Sequence, residues 1–186
     1  MNIAGTQIEQ TAALTGSTLL DRIFAITSGI SLSQVRDITG LCAPTLQNWI
    51  KRGWVSPPVN KKYNIDQVAR MMIINALRDS MSLDSIAFLM KYINGDANSR
   101  LDDIIPESRL YFYFCVINEK SENVISDKKS TELLIDEICS DYKESVLGAK
   151  QRLKNALEIM VCSYRAALYK KEAEKMISRI REIHSL

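Results

Sequence analysis

The 186-residue sequence contains one histidine, His184, and no Gly-rich phosphate loop, metal-spaced acid pair or nucleophile motif. That leaves little from which to build an active site, so an enzyme, a catalytic residue, a metal or a cofactor is not expected. No run approaches the ~18 apolar residues that a membrane-spanning helix needs, so no membrane partner is expected. Residues 1–18 are polar and rich in Thr and Gly, unlike the basic-then-apolar start of an export signal. The four cysteines, Cys42, Cys115, Cys139 and Cys162, show neither metal-knuckle nor redox spacing. A chain of this length does not need disulfide staples, so they read as buried thiols in a cytoplasmic protein. There is no internal repeat and no low-complexity tract.

What remains is an ordinary globular composition, 46% hydrophobic and 25% charged, which argues against disorder. The net charge of +2 says little until it is mapped along the chain. Residues 31–95 hold eight cations (Arg36, Lys51, Arg52, Lys61, Lys62, Arg70, Arg78, Lys91) against four anions (Asp37, Asp66, Asp79, Asp84), while the segments on either side are each slightly acidic. A positive excess confined to one segment suits a segment that meets a polyanion.

Helix signals fill most of the chain. Leu19, Leu20, Ile23 and Phe24 give an apolar face to a helix over residues 18–28, with Thr18 and Asp21 as a capping pair and Gly29 as its stop. Ser31 and Gln34 have capping-box spacing, Leu32, Val35 and Ile38 follow as a stripe, and Gly40 ends it. Pro44 suits the first turn of the next helix, whose apolar face is Leu46, Trp49 and Ile50 and whose stop is Gly53. Pro57 and Pro58 bar residues 55–62 from helix, and Asn60 suits a turn. Asn64 and Gln67 cap a helix over residues 66–79 that is apolar around nearly its whole circumference, as a central helix is. Ser82 caps the following helix and Gly95 stops it.

Residues 95–103 read as a linker, Pro106 opens a short helix through Tyr111, Phe112, Tyr113 and Phe114, and residues 121–129 read as a polar loop. Those aromatics, with Tyr164, suit core packing, a small-molecule pocket among them being the alternative. The remainder is helical in two pieces broken near Gly148. In the last piece Leu153, Leu157, Met160, Val161, Tyr164, Leu168, Met176, Ile180 and Ile183 recur at helical spacing. A helix that long outruns a small domain, so a homodimer held through this stripe is expected. The fold class is therefore all-α: a tail at residues 1–16, a head at 17–95, and a helical region at 96–186 for dimerisation or effector binding, with no effector identifiable.

The functional constellation lies in the head. Two short helices joined by a tight turn can brace the second at an angle that fits the major groove. At 100° per residue Leu46, Trp49 and Ile50 cluster on one side of that second helix. Gln47, Asn48 and Lys51 fall opposite, with Thr45 and Arg52 at the edges. Gln and Asn can bond adenine N6 and N7 together, while Lys and Arg serve guanine or phosphate. Beyond the helix, Lys61 and Lys62 on a proline-stiffened turn are placed to reach phosphates as a wing does.

This region resembles the DNA-binding domain of the mercury-resistance-regulator (MerR) family. The residues that carry the resemblance are the run from Gly40 through Pro44, Leu46, Trp49, Lys51, Arg52 and Gly53 to Val55, then Lys62, Tyr63 and Asn64, then Ile65, Asp66, Gln67 and Val68. It is more closely similar to a bacterial MerR-like family known as domain of unknown function 1836, through Leu46-Gln47-Asn48-Trp49, Lys62-Tyr63, Ala69-Arg70, Ile73-Ile74-Asn75 and Tyr92-Ile93-Asn94-Gly95, over roughly residues 17–115. The resemblance implies a winged helix-turn-helix and a transcriptional regulator binding double-stranded DNA, and the helix face and turn described above offer Thr45, Gln47, Asn48, Lys51, Arg52, Lys61 and Lys62 as the binding residues. A protein-interaction adaptor of the same fold without DNA binding is the other function class open to it.

Overall fold

A computed structural model describes residues 1–99, 101–121 and 128–184 of the chain. Within them lie α1 (Gly16–Phe24), β1 (Ile30–Ser31), α2 (Leu32–Thr39), α3 (Ala43–Lys51), β2 (Lys62–Tyr63), α4 (Ile65–Leu77), α5 (Leu83–Asn94), α6 (Glu107–Ser121), α7 (Lys128–Ile138) and α8 (Ala149–His184). The fold is mainly helical, as expected. Most of the loop expected over residues 121–129 lies outside the described residues; α6 reaches Ser121 and α7 opens at Lys128.

Capping chemistry sets the starts of α1, α2, α4 and α5. The Ser31 amide donates to Gln34 Oε1 at 2.8 Å, and the Gln34 amide donates back to Ser31 Oγ at 3.4 Å. Asn64 and Gln67 make the same reciprocal pair at 2.9 and 3.0 Å. Helix α1 departs from the expectation at both ends. Its cap is Thr15, whose amide donates to Thr18 Oγ1 at 3.2 Å, so Thr18 is the reciprocal partner rather than the cap. It ends at Phe24, well before Gly29, because the chain must straighten to pair β1 with β2: Ile30 lies opposite Tyr63 and Ser31 opposite Lys62, antiparallel. Helix α6 is not short, running fifteen residues because Val116 and Ile117 extend the apolar run.

Helix α4 is central. Val68, Ala69, Met71, Met72, Ile73 and Leu77 are wholly buried, and α1, α2, α5, α6 and α8 pack around it. Each large apolar side chain so removed from water stabilises the fold by about 1.5–3 kcal/mol. One contiguous core runs from Ile3 to Tyr164. Residues 1–15 lie on that core: Ile3 and Ala4 are buried, and the Tyr111 hydroxyl donates to the Ala4 carbonyl at 2.8 Å. The stretch expected as a linker is held at both ends by buried Asn94, which donates to the Ile105 carbonyl at 2.6 Å and accepts from the Ile104 and Ile105 amides. Gly95 has a φ of 56°, in which an L side chain is strained, and a Cβ there would also push the exposed Asp102 carboxylate aside.

Helix α8 is 36 residues long, about 54 Å at 1.5 Å per residue. Its first half belongs to the core: Leu153, Leu157, Met160 and Val161 are fully buried, and the Arg152 guanidinium caps α5 by donating to the Tyr92 and Ile93 carbonyls. Tyr111, Tyr113 and Phe114 are core as well, with Phe114 edge-on to Tyr164 at 5.4 Å. From Tyr169 to Ile183 every side chain is exposed. The single stripe read from the sequence is therefore two surfaces, one satisfied within the chain and one open. No described helix is long and apolar enough to cross a membrane.

Candidate nucleic-acid interface

Helices α2 and α3 are joined by a three-residue turn that opens on Gly40, whose φ of 71° is the left-handed conformation a glycine adopts without strain. The Gly40 amide closes α2 by donating to the Arg36 carbonyl at 2.8 Å. Asn75 on α4 fixes the end of α2, its Nδ2 donating to the carbonyls of Thr39 (3.0 Å) and Gly5 (2.9 Å). Pro44 occupies the first turn of α3, and Leu46 and Trp49 anchor that helix, 0% and 1% exposed. Trp49 is thus core rather than a stacking platform.

The opposite side of α3 is free. Gln47, Asn48 and Lys51 are exposed, and their side chains make no hydrogen bond or ion pair among the described residues. Thr45 at the edge is half-buried, with its hydroxyl 3.1 Å from Cys42 Sγ. Arg52 is exposed and lies over Trp54, 5.1 Å from the ring centroid, which holds the guanidinium at the end of the helix. Between Asp37 and Asp66 the chain carries Lys51, Arg52, Lys61 and Lys62 and no acid at all.

Residues 59–62 form a tight hairpin. The Val59 amide donates to the Lys62 carbonyl at 3.0 Å and the Lys62 amide donates back at 2.9 Å. Asn60 and Lys61 between them have φ of 50° and 61°, both left-handed, the signature of a two-residue turn that matches strand twist. Lys61 and Lys62 are exposed at its tip. Helix α4 anchors the approach to the hairpin: Gln67 Nε2 donates to the Ser56 carbonyl and hydroxyl (3.0 Å each) and to the Pro57 carbonyl (2.8 Å). Arg70 Nε donates to the Trp54 carbonyl at 2.6 Å, and its terminal nitrogen pairs with Glu107 at 2.8 Å. Arg70 is therefore a buried, neutralised member of the positive excess counted along the sequence and is not available to a ligand.

Two further groups stand beside the start of α3. Arg36, exposed in the last turn of α2, acts electrostatically on Cys42, the N-cap residue of α3. The hydrogen bond with the Thr45 side chain, more than Arg36, holds the Cys42 thiol below its ordinary pKa. Nor are all four thiols buried: Cys42 and Cys162 are exposed, while burial pushes Cys139 up to about 11 and raises Cys115 further. A cleft of about 380 Å³ opens beside Arg52 and Trp54, lined on the α5 side by Leu83, Ile86, Phe88 and Lys91, and a smaller one of about 160 Å³ is lined by Tyr111 and Phe112 together with Leu20 and Ile65.

No solved structure matches the chain. An uncharacterised protein of Bacillus subtilis (strain 168), YkrK, is 27% identical over 86 residues. That match covers 44% of this chain and only 37% of the relative's length. The family described as domain of unknown function 1836 matches residues 18–114, from α1 into α6 and more than half of the sequence, and the chain belongs to that family.

Proposed function

We propose that the protein is a sequence-specific DNA-binding regulator with a MerR-like winged helix-turn-helix, working as a homodimer. Helix α3 enters the major groove, Gln47 and Asn48 read base edges, Lys51 and Arg52 flank them, and the hairpin acts as a short wing whose Lys61 and Lys62 contact phosphate. The observation that carries this reading is the uncommitted polar face of α3: four donors with no internal hydrogen-bond or ion-pair partner among the described residues, on a helix anchored from its other side by buried Leu46 and Trp49 and in a stretch with no acid between Asp37 and Asp66. A helix serving only as structure more often covers its outer face with mixed charge.

Selection from random duplex DNA tests it. The full chain is expected to enrich one motif, and Gln47→Ala and Asn48→Ala are each expected to cost about 1–3 kcal/mol on that motif while changing affinity for random DNA little. Failure to enrich any motif, or two variants that select the same motif with unchanged affinity, would favour the adaptor reading instead.

A further inference from the structure

The cleft of about 380 Å³ between the end of α3 and α5 is not used by the reading face. Small-molecule sites span about 300–1,000 Å³ and are mostly apolar, with a few placed polar groups. This one has that character. Trp54 and Leu83 line it half-buried, Ile86 is buried beneath, and the Phe88 ring stands 72% exposed on its wall. Its frame is fixed on the α3 side: the Trp54 amide donates to the Trp49 carbonyl at 2.9 Å, and the Trp54 carbonyl accepts from Arg70 Nε at 2.6 Å.

The charges on the lining are unbalanced. Arg52 and Lys91 both line the cleft, and neither side chain makes a hydrogen bond or ion pair among the described residues. A third cation, Arg70, is already paired with Glu107. The one acid on the lining is Asp96, on which Lys91 acts electrostatically. Its carboxylate is engaged by Asn98, whose amide donates at 2.8 Å and whose Nδ2 donates at 3.1 Å, and these bonds hold it below the usual carboxylate range.

We infer that this cleft binds a planar aromatic acid, its rings against Phe88 and Trp54 and its carboxylate on Arg52 and Lys91. Shape and charge select that occupant. An uncharged aromatic would leave both cations unanswered, and a compact polyanion would leave Phe88 bare and meet Asp96. The Arg52 guanidinium already lies over the Trp54 ring, 5.1 Å from its centroid, so its fork is held for a carboxylate before the ligand arrives. The consequence for DNA rests on the proposed function, in which Arg52 flanks the base-reading residues. An occupied cleft then takes that charge from the DNA, so the acid and DNA weaken each other's binding by the same factor.

Calorimetry on the full chain without DNA tests the site, with 2-naphthoate as the probe and 2-naphthamide as its uncharged twin. One molecule of 2-naphthoate is expected to bind per chain, roughly tenfold more tightly than the amide. Lys91→Ala is expected to remove most of that preference for the acid, whereas Phe88→Ala weakens both probes alike. Both side chains are exposed, so neither variant should change the thermal melt. Met176→Ala, on the exposed end of α8, is expected to leave binding unchanged, which separates the cleft from the other bare apolar surface. No saturable binding, equal binding of the two probes, or binding that Lys91→Ala and Phe88→Ala leave intact overturns the site. With the cleft filled, affinity for a random-sequence duplex is expected to fall, and Arg52→Ala is expected to abolish that fall. Unchanged DNA affinity with the cleft saturated overturns the coupling. A chain that binds 2-naphthoate but never DNA overturns the proposed function, and the coupling with it, while the site stands.

Discussion

Arg70 is 5% exposed, and its partner Glu107 is 6% exposed. Their 2.8 Å pair lies where α4, α6 and the end of α3 converge, so removing one partner strands a charge in the interior. Glu107→Ala is expected to destabilise the protein by about 3–5 kcal/mol in urea unfolding. A loss under about 1 kcal/mol would show that water reaches the pair. Cys42 makes a different kind of prediction. The Thr45 hydrogen bond lowers its pKa, so more thiolate is present at a given pH than for an ordinary cysteine. Cys42 should therefore alkylate faster than Cys115 and Cys139, whose thiols are buried and raised. Thr45→Val should slow it, most clearly below the ordinary thiol pKa. Equal labelling of Cys42 before and after the substitution would contradict this assignment.

Among the elements, the hairpin shows function set against local geometry. Asn tolerates the left-handed region, but Lys61 in it costs about 1–2 kcal/mol, whereas glycine there forgoes only about 0.5–1 kcal/mol of chain entropy. Lys61→Gly should stabilise the protein by up to about 1 kcal/mol and weaken DNA binding, opposite signs readable from a thermal melt and a binding titration. If both move together, the charge at this position is not being kept for a ligand. Elements whose signals are local were legible in the sequence: Ser31 with Gln34, Asn64 with Gln67, the Gly40 turn, Pro44 in a first turn, and the all-round apolar α4. Elements set by distant partners were not. The end of α1 depends on β1 finding β2 more than thirty residues away, and Thr15 competes with Thr18 for the same cap because both carry a hydroxyl. The loop after α5 looked like a linker because Asn94, which ties it down, bonds backbone groups that any sequence would supply.

For the whole molecule, the family match stops inside α6, while the core continues through α8 to Tyr164. The C-terminal helices thus complete the hydrophobic interior that α4 begins. The long stripe on α8 was visible in the sequence, but its partition was not, because Leu157 and Ile180 share a periodicity and differ only in what packs on them. Leu157→Asp would consequently unfold the chain rather than dissociate a dimer, since Leu157 is fully buried. On the reading face, the residue types and their angular separation were legible; the commitment of Arg70 to Glu107 was not, because the partner comes from α6.

If the exposed cations of α3 and its hairpin meet DNA phosphate, binding must release counterions and weaken as salt rises. The decisive measurement is the affinity for a labelled random-sequence duplex across a series of salt concentrations. A linear, steep fall of log affinity with log salt is expected, with a slope about 0.9 shallower when either Lys61 or Lys62 is changed to Ala. No binding at low salt, or a slope near zero that both substitutions leave unchanged, would contradict that reading.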